Sequence, residues 1–446
     1  MRSDQYYRNL MRLFSDTFPG YEFLVSAQST RRDLTRFANS EIHQNVSTNS
    51  MNFTAIFLKN KKIAIVSGND DTLEGLKRLK EQVDEIMENS PEVPFEFKMP
   101  PLRMEYPYYM DEEEMKNIPP ETRAKFFDMV KDLAASKNLK AFGYVANTTG
   151  DFSVFSTTGL FLYMSYTSAD FNTVLLNESG SGSYTSGSAK NFESLDIERK
   201  IKETVELATK NVPNDEIDPG SFTVILGPEA TATLFMYFAF GALNGLWHEL
   251  GTSSSVKFLG KKVGPDFLNF KDDPNDERLI KFPFDAVGSK RETFPIIENG
   301  TFKNVLYPYG AALMFGKEAT GHTFNLKELD FAFPANPVIG DGTLTKEELF
   351  SKVDKGLYIH RFHYVNIVDP SSLTLTGMTR DGLFLVERGE ITKAVKNMRF
   401  NVNFYELMKN LKAFSKEQDS VGEYLSPIIA PYALFEGFTF TSKTDH

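Results

Sequence analysis

Seven prolines fall within residues 91–120, at Pro91, Pro94, Pro100, Pro101, Pro107, Pro119 and Pro120. Each fixes φ and removes a backbone donor, so neither a helix nor a central strand can run through this stretch. The chain is therefore expected to divide into an N-terminal α/β domain (1–90), a Pro-rich linker (91–120), a middle α+β domain (121–215) and a C-terminal β-rich domain (216–446). A length of 446 residues, 41% of them apolar, is enough for two or three such units with real cores.

Periodicity fills in these units. Tyr7, Leu10, Met11 and Phe14 recur at helical spacing, and residues 51–59 and 61–68 form a hairpin pattern around Asn60. Asp71 and Glu74 read as a capping box opening a helix that buries Leu73, Leu76, Leu79, Val83, Ile86 and Met87 and ends near Ser90. In the middle unit, strand-like runs at 139–146, 151–157, 160–166 and 170–176 predict an antiparallel meander. A Gly/Ser stretch at 178–188 then reads as a flexible connector to a helix carrying Ile197, Ile201, Val205 and Ala208.

Beyond residue 220 a strand (221–226) precedes a helix that is apolar all round, and the rest is strand-like. Turns are expected at Asn299-Gly300, Asp341-Gly342, Asp381-Gly382 and Arg388-Gly389. Thr345 and Glu348 cap a helix over 345–355, and a short helix falls near 406–414. The fold class is α+β: an N-terminal α/β part, a middle antiparallel meander with helices, and a mostly β C-terminal part with a buried helix.

Composition excludes much chemistry. With 49 Lys and Arg against 60 Asp and Glu, the net charge of −11 repels a phosphate backbone, so no direct nucleic-acid contact is expected. The absence of cysteine excludes disulfides, thiolate nucleophiles and any zinc site with a sulfur ligand. The apolar run Ala232–Leu243 would rise about 18 Å as a helix, short of a ~30 Å hydrocarbon slab, and no secretory signal is visible. A cytoplasmic protein without membrane contact is expected.

Six histidines remain as candidate chemistry: His43, His248, His322, His360, His363 and His446. His248-Glu249 lacks the second histidine that a zinc-binding helix needs. His360 and His363 lie in a strand-like run, where a spacing of three puts them on opposite faces. They are expected to be ordinary, partly exposed histidines. The loop from Gly182 to Gly187 lacks the lysine of a phosphate cradle, and Ser253-Ser254-Ser255 lacks a nucleophile elbow. Asp111–Glu114 and Asp272-Asp273 read as solvated turns.

Taken together, several strings resemble the TldD/PmbA family in order and spacing: DLTRFANSEIHQN (33–45), GTSSSVKFLGKKV (251–263), DDP (272–274), FDAVGSKRETFPIIENGTFKNVLY (284–307), ATGHTF (319–324) and TGMTRDGLFLVERGEITKAVKNMRF (376–400). In that family the TldD-type subunit carries His-Glu-x-x-x-His on the helix before the Gly-Thr-Ser segment, with a later cysteine completing a zinc site. Counting back from Gly251, the motif falls on Met236-Tyr237-Phe238-Ala239-Phe240-Gly241, so Met236, Tyr237 and Gly241 mark a degenerate motif position and no ligand is present.

The resemblance therefore implies a TldE/PmbA-like chain with no catalytic residue and no cofactor, zinc being expected only in a TldD-like partner. It implies a metallopeptidase complex in which such a chain forms part of a chamber for unfolded peptides held in extended form. Three other readings stay open. One is a homodimer; another is an independent hydrolase using His322 beside Thr320, or His360 and His363 with Asp381. The third is a regulatory binding protein linked to DNA gyrase, after the family's older label as a modulator of that enzyme.

Overall fold

The computed structural model describes residues 2–93, 97–101, 107–110, 112–213, 215–422 and 425–444. Pro94, Asp111 and His446 lie outside the described residues.

Two sheets carry an α+β fold. The first is built from β1 (Glu22–Ala38), β2 (Glu41–Lys59), β3 (Lys62–Gly68), β4 (Tyr108–Met110), β5 (Lys140–Ser156), β6 (Phe161–Leu176) and β7 (Gly182–Ala189), in the order β3-β2-β1-β5-β6-β4 with β7 also on β6. Asn39-Ser40 and Asn60-Lys61 reverse the chain between β1, β2 and β3. All four residues have φ near +50 to +60°, the geometry whose twist matches a hairpin. The segments read from sequence as separate N-terminal and middle units share this one ladder, since β1 pairs with β5 over fourteen residues, from Leu24↔Ser156 to Phe37↔Gly143.

Four helices cover one face of this sheet: α1 (Asp4–Thr17) and α2 (Leu73–Asn89) over one end, α3 (Pro120–Ala135) and α4 (Ile197–Lys210) over the other. Odd-numbered positions of β1, such as Phe23, Val25 and Phe37, point into these cores. Arg123 of α3 is the largest fully buried side chain. It donates to Thr35 of β1 (3.1 Å), Asn45 of β2 (3.2 Å) and Asn147 of β5 (2.7 Å), which pins the helix across three strands.

The second, eleven-stranded sheet comprises β8 (Gly220–Leu226), β9 (Phe270–Asp272), β10 (Phe294–Glu298), β11 (Thr301–Phe302), β12 (Pro337–Ile339), β13 (Lys355–Asp369), β14 (Thr374–Glu387), β15 (Glu390–Ala394), β16 (Met398–Asn403), β17 (Leu411–Val421) and β18 (Ile428–Lys443). Strands β8, β13, β14, β16 and β18 close into a ring, because β18 pairs with both β16 and β8. The apolar helix α5 (Pro228–Ala242) packs against β13 and β18 in the largest core. Short helices α6 (Gly245–Glu249), α7 (Ser255–Phe258), α8 (Tyr309–Phe315), α9 (Lys346–Ser351) and α10 (Phe404–Lys409) sit in the connections.

Several local expectations are corrected. The four-run meander is two long strands, β5 and β6, because residues 147–150 are paired on both sides and cannot turn. The Gly/Ser connector is mostly the buried strand β7. Its Gly182 serves close approach, since an added Cβ would lie 2.0 Å from the Leu175 carbonyl oxygen. The cap of α2 is Thr72, whose hydroxyl accepts from Gly75 N at 3.1 Å, and Leu73 and Ile86 point to solvent. Asp381-Gly382 is a register shift inside β14 rather than a turn, with φ of 56° and 138°. The box at Thr345 and Glu348 is present with both bonds, although its helix stops at Ser351.

Candidate functional site

Helix α5 is capped by Gly227 and has Pro228 as its first residue, where a missing N–H costs nothing. A helix apolar on every side belongs in a core, and this one is buried over nearly its whole length. Met236 is 1% exposed, and Phe238 stacks on Phe404 with ring centroids 4.7 Å apart and meets Phe302 at 5.2 Å. The Tyr237 hydroxyl donates to the Val365 carbonyl. Gly241 lies against Leu373 and Ile367, so closely that an added Cβ would sit 2.3 Å from Leu373 Cδ1.

The groups at these positions do not fit zinc. The face offers no imidazole, carboxylate or thiolate, and its single phenol is committed to a carbonyl. Among the described residues, no group of three or more His, Cys, Asp or Glu is arranged to hold a metal ion.

His322 sits in a buried polar knot. Its Nδ1 is 2.9 Å from Thr320 Oγ1 and its Nε2 is 3.1 Å from Asp272 Oδ2. A carboxylate partner at Nε2 places the ring proton there, which leaves Nδ1 to accept from the threonine hydroxyl. Asp272 also pairs with Arg291 and accepts from Asn336 N at 2.6 Å. Burial alone would raise the Asp272 carboxyl, but Arg291 foremost, then His322 and the Asn336 N–H, hold it well below the usual carboxylate range.

The sequence thus placed His322 beside Thr320 but missed Asp272. That residue, expected in a solvated turn, is fully buried. Hydroxyl, imidazole and carboxylate stand in a row, yet Thr320 Oγ1 also accepts from Tyr307 N at 3.0 Å and Asp272 is neutralised by Arg291. Such an arrangement ties β9 to the 320–336 segment.

His360 and His363 line two different cavities. His360 is buried rather than partly exposed. It bonds the Tyr184 carbonyl through Nε2 and Tyr358 Oη through Nδ1 (3.1 Å), and burial pushes its pKa down. His363 is half-buried, with Nε2 2.7 Å from Arg380 Nη1. Asp381 pairs with Arg361 at 2.6 Å, not with either ring. His248 Nδ1 lies 3.0 Å from Ser255 Oγ, but Glu249 is turned to Tyr307 (2.5 Å) and Lys317 (3.1 Å), so this pair lacks an orienting carboxylate.

The feature that sequence could not show is a cavity of about 600 Å³ between the first sheet and the C-terminal half. Ser26, Gln28, Asn52 and Thr54 of β1 and β2 form its polar floor, and Phe282 and Phe324 are among the apolar groups opposite. Its ionisable lining groups are all engaged. Asp285 accepts from Val287, Ser289 and Thr323 N–H groups at 2.8–3.1 Å, and Arg291 and His322 belong to the knot above. A second cavity of about 570 Å³ lies where β7 and α4 meet β13 and β18, beside His360. Among the described residues no helix is long and apolar enough to cross a membrane.

The profile of the PmbA/TldA metallopeptidase C-terminal domain matches residues 219–442, the part that holds α5 and the closed ring. A metalloprotease of Methanothermobacter thermautotrophicus is 22% identical over 267 residues, covering 59% of this chain and 58% of that protein. The metalloprotease PmbA of Escherichia coli O157:H7 is 26% identical over 191 residues, covering 42% and 39%. The matches thus span about half the length of these relatives. In three dimensions, TldE from Thermococcus kodakarensis superimposes with a TM-score of 0.88 at 19% identity, over 98% of this chain and all of that one, so the whole fold is shared. On the match across its C-terminal half, the chain belongs to the TldD/PmbA family of metallopeptidase-related proteins.

Proposed function

We propose that this chain is the non-catalytic, TldE-type subunit of a two-component metallopeptidase, working beside a TldD-type subunit that holds the zinc. One observation carries the reading. The six positions where the family's zinc helix would present its ligands, Met236 to Gly241, are filled by side chains packed into the core, with Gly241 closed over by Leu373 and Ile367. A dication there would have neither donors nor space, and no bound water could be activated. The likeness to a TldE chain over the full length supports the same assignment. In such a complex this subunit contributes walls of a chamber for extended peptides, and the 600 Å³ cavity is part of that wall.

The test is metal content and peptide cleavage by the purified chain, alone and after mixing with a TldD-type chain from the same source. The reading expects zinc far below one ion per chain and no cleavage alone, with co-elution and cleavage after mixing. Stoichiometric zinc with turnover by the isolated chain would overturn it.

A further inference from the structure

A third cavity, of about 860 Å³, opens where the β6–β7 turn at residues 180–182, and Asn211 and Pro213 after α4, face β13, β14 and the end of β18. The chain as a whole carries a net charge of −11, yet the balance here is the reverse. Arg380, Lys396 and Lys443 line the cavity against Asp381 and Glu216. Asp381 is neutralised from outside by Arg361, which does not line the cavity and pairs with it at 2.6 Å. Glu216 alone is shared by Lys396 at 2.7 Å and Lys443 at 3.1 Å. Lys443 also reaches Asp218 at 3.2 Å, but that carboxylate is 95% exposed and screened by water. Positive charge is therefore in surplus.

Arg380 holds that surplus most openly. Its Nη1 donates to His363 Nε2 at 2.7 Å, and because a guanidinium has no lone pair to offer, the imidazole must accept through that nitrogen. A ring that accepts there supplies no countercharge. Among the described residues the one ion pair of Arg380 is with Asp381 at 3.9 Å, beyond hydrogen-bond reach, and its side chain is 50% exposed.

Backbone strain gathers at the same place. Tyr364 lines the cavity with φ of 52° and is 72% exposed, so an aromatic residue occupies the left-handed region without any gain from burial. It lies in the register shift of β13 between His363 and Asn366, and Asp381 and Gly382 of β14 depart from strand geometry at φ of 56° and 138°. Bulges of this kind re-aim side chains. Here they set the Tyr364 ring edge-on to His363, centroids 4.7 Å apart, with Arg380 beyond.

We propose that this cavity binds a small organic anion, a phosphate or carboxylate carried on an apolar or aromatic body, with Arg380 on the anionic group and Tyr364 against the body. The planar fork of a guanidinium suits either oxyanion. The volume is that of a ligand site and far exceeds a bare inorganic ion. The overall negative charge disfavours a long polyanion. This site is separate from the 600 Å³ cavity and does not depend on the two-component reading.

The test is calorimetric titration of the isolated full chain with phenyl phosphate, phenylacetate, uncharged phenylacetamide and inorganic phosphate. At least one aromatic anion should bind about tenfold or more tighter than phenylacetamide, and the tighter of the two names the oxyanion. R380Q, at a half-exposed position, should lose at least about tenfold for that anion while melting like the parent. Y364G removes the ring and suits the positive φ, so it should melt no lower than the parent. It should weaken phenyl phosphate several-fold more than inorganic phosphate. K202Q, which removes an exposed cation elsewhere on α4, should leave every affinity unchanged. Equal binding of phenylacetamide would overturn the proposal, as would full affinity in R380Q or in Y364G. An equal loss in K202Q would also overturn it, since diffuse surface charge would then account for binding. No partner or metal enters the assay, so its failure leaves the two-component reading intact.

Discussion

The two sheets deal with their edges in opposite ways. In the C-terminal half, β18 reaches both β16 and β8, so the ring closes on itself, and α5 lies against it with its large side chains enclosed. In the N-terminal half, helices cover one face only, and β2 extends about a dozen residues beyond its partner β3. Closure satisfies backbone groups internally and favours stability, whereas an open edge leaves hydrogen-bonding capacity for something else. The lesson is that the half matching a metallopeptidase profile is the half built as a closed core, while the unfinished surface lies in the other.

This contrast can be broken or sharpened in graded steps. The largest effect is expected from F238A, which opens a void between Phe404, Phe302 and Phe270 and should lower unfolding free energy by about 3–5 kcal/mol in a urea melt. If the loss were small, α5 would not be the centre of a packed core, and the argument that positions 236–241 have no room would weaken.

D272N comes next. It leaves the buried Arg291 without its carboxylate and should cost about 3 kcal/mol. Because the Asp272 carboxyl is held low in the folded state, its stabilisation is present above the unfolded value of about 3.9 and is lost as pH falls through the folded value. The variant should therefore lose less stability than the parent between neutral pH and strong acid. Retention of full stability at neutral pH would show that the knot is not structural and would return the Thr320–His322–Asp272 row to consideration as a site.

A smaller change, about 1–3 kcal/mol, is expected from R123M, which removes three hydrogen bonds and takes the donor from the buried Asn147 Oδ1 on β5. Amide exchange should quicken along the β1–β2 ribbon and not in the closed ring. Uniform quickening in both halves would mean that the sheets unfold as one unit.

The smallest effect concerns His360, where the ring meets β7. Burial lowers its pKa, so the unfolded chain binds a proton that the folded chain resists, and stability falls as pH drops below about 6.5. H360Q, which keeps a donor for the Tyr184 carbonyl, should show a shallower loss between pH 7 and 5. An unchanged slope would mean that another group controls the junction.

Reading the sequence worked best where local rules decide. Tyr7, Leu10 and Phe14 face the core as their spacing requires, Asn60 turns a hairpin, and the Thr345–Glu348 box forms both bonds, because each depends on residues a few positions apart. It failed where a distant partner overrides the local signal. Residues 147–150 look like a turn but are held straight by β1 on one side and β6 on the other, and Gly182 looks flexible but is pressed against Leu175. Asp272 followed the same pattern: a polar pair beside a proline reads as surface until Arg291, nineteen residues on, and His322, fifty residues on, are folded over it.

What the sequence by itself determined was a set of chemical exclusions together with the family. A chain without cysteine, and with Met-Tyr-Phe-Ala-Phe-Gly at 236–241, offers no thiolate anywhere and no imidazole or carboxylate from that stretch however it folds, because side-chain identity does not depend on conformation. Only the tertiary structure decided that Met236 and Gly241 are sealed by Leu373 and the core, that His360 is buried beneath Tyr184, and that β2 runs past its partner beside a cavity. Those properties arise from contacts between segments tens to hundreds of residues apart, and no local pattern encodes which surfaces the closing chain will cover.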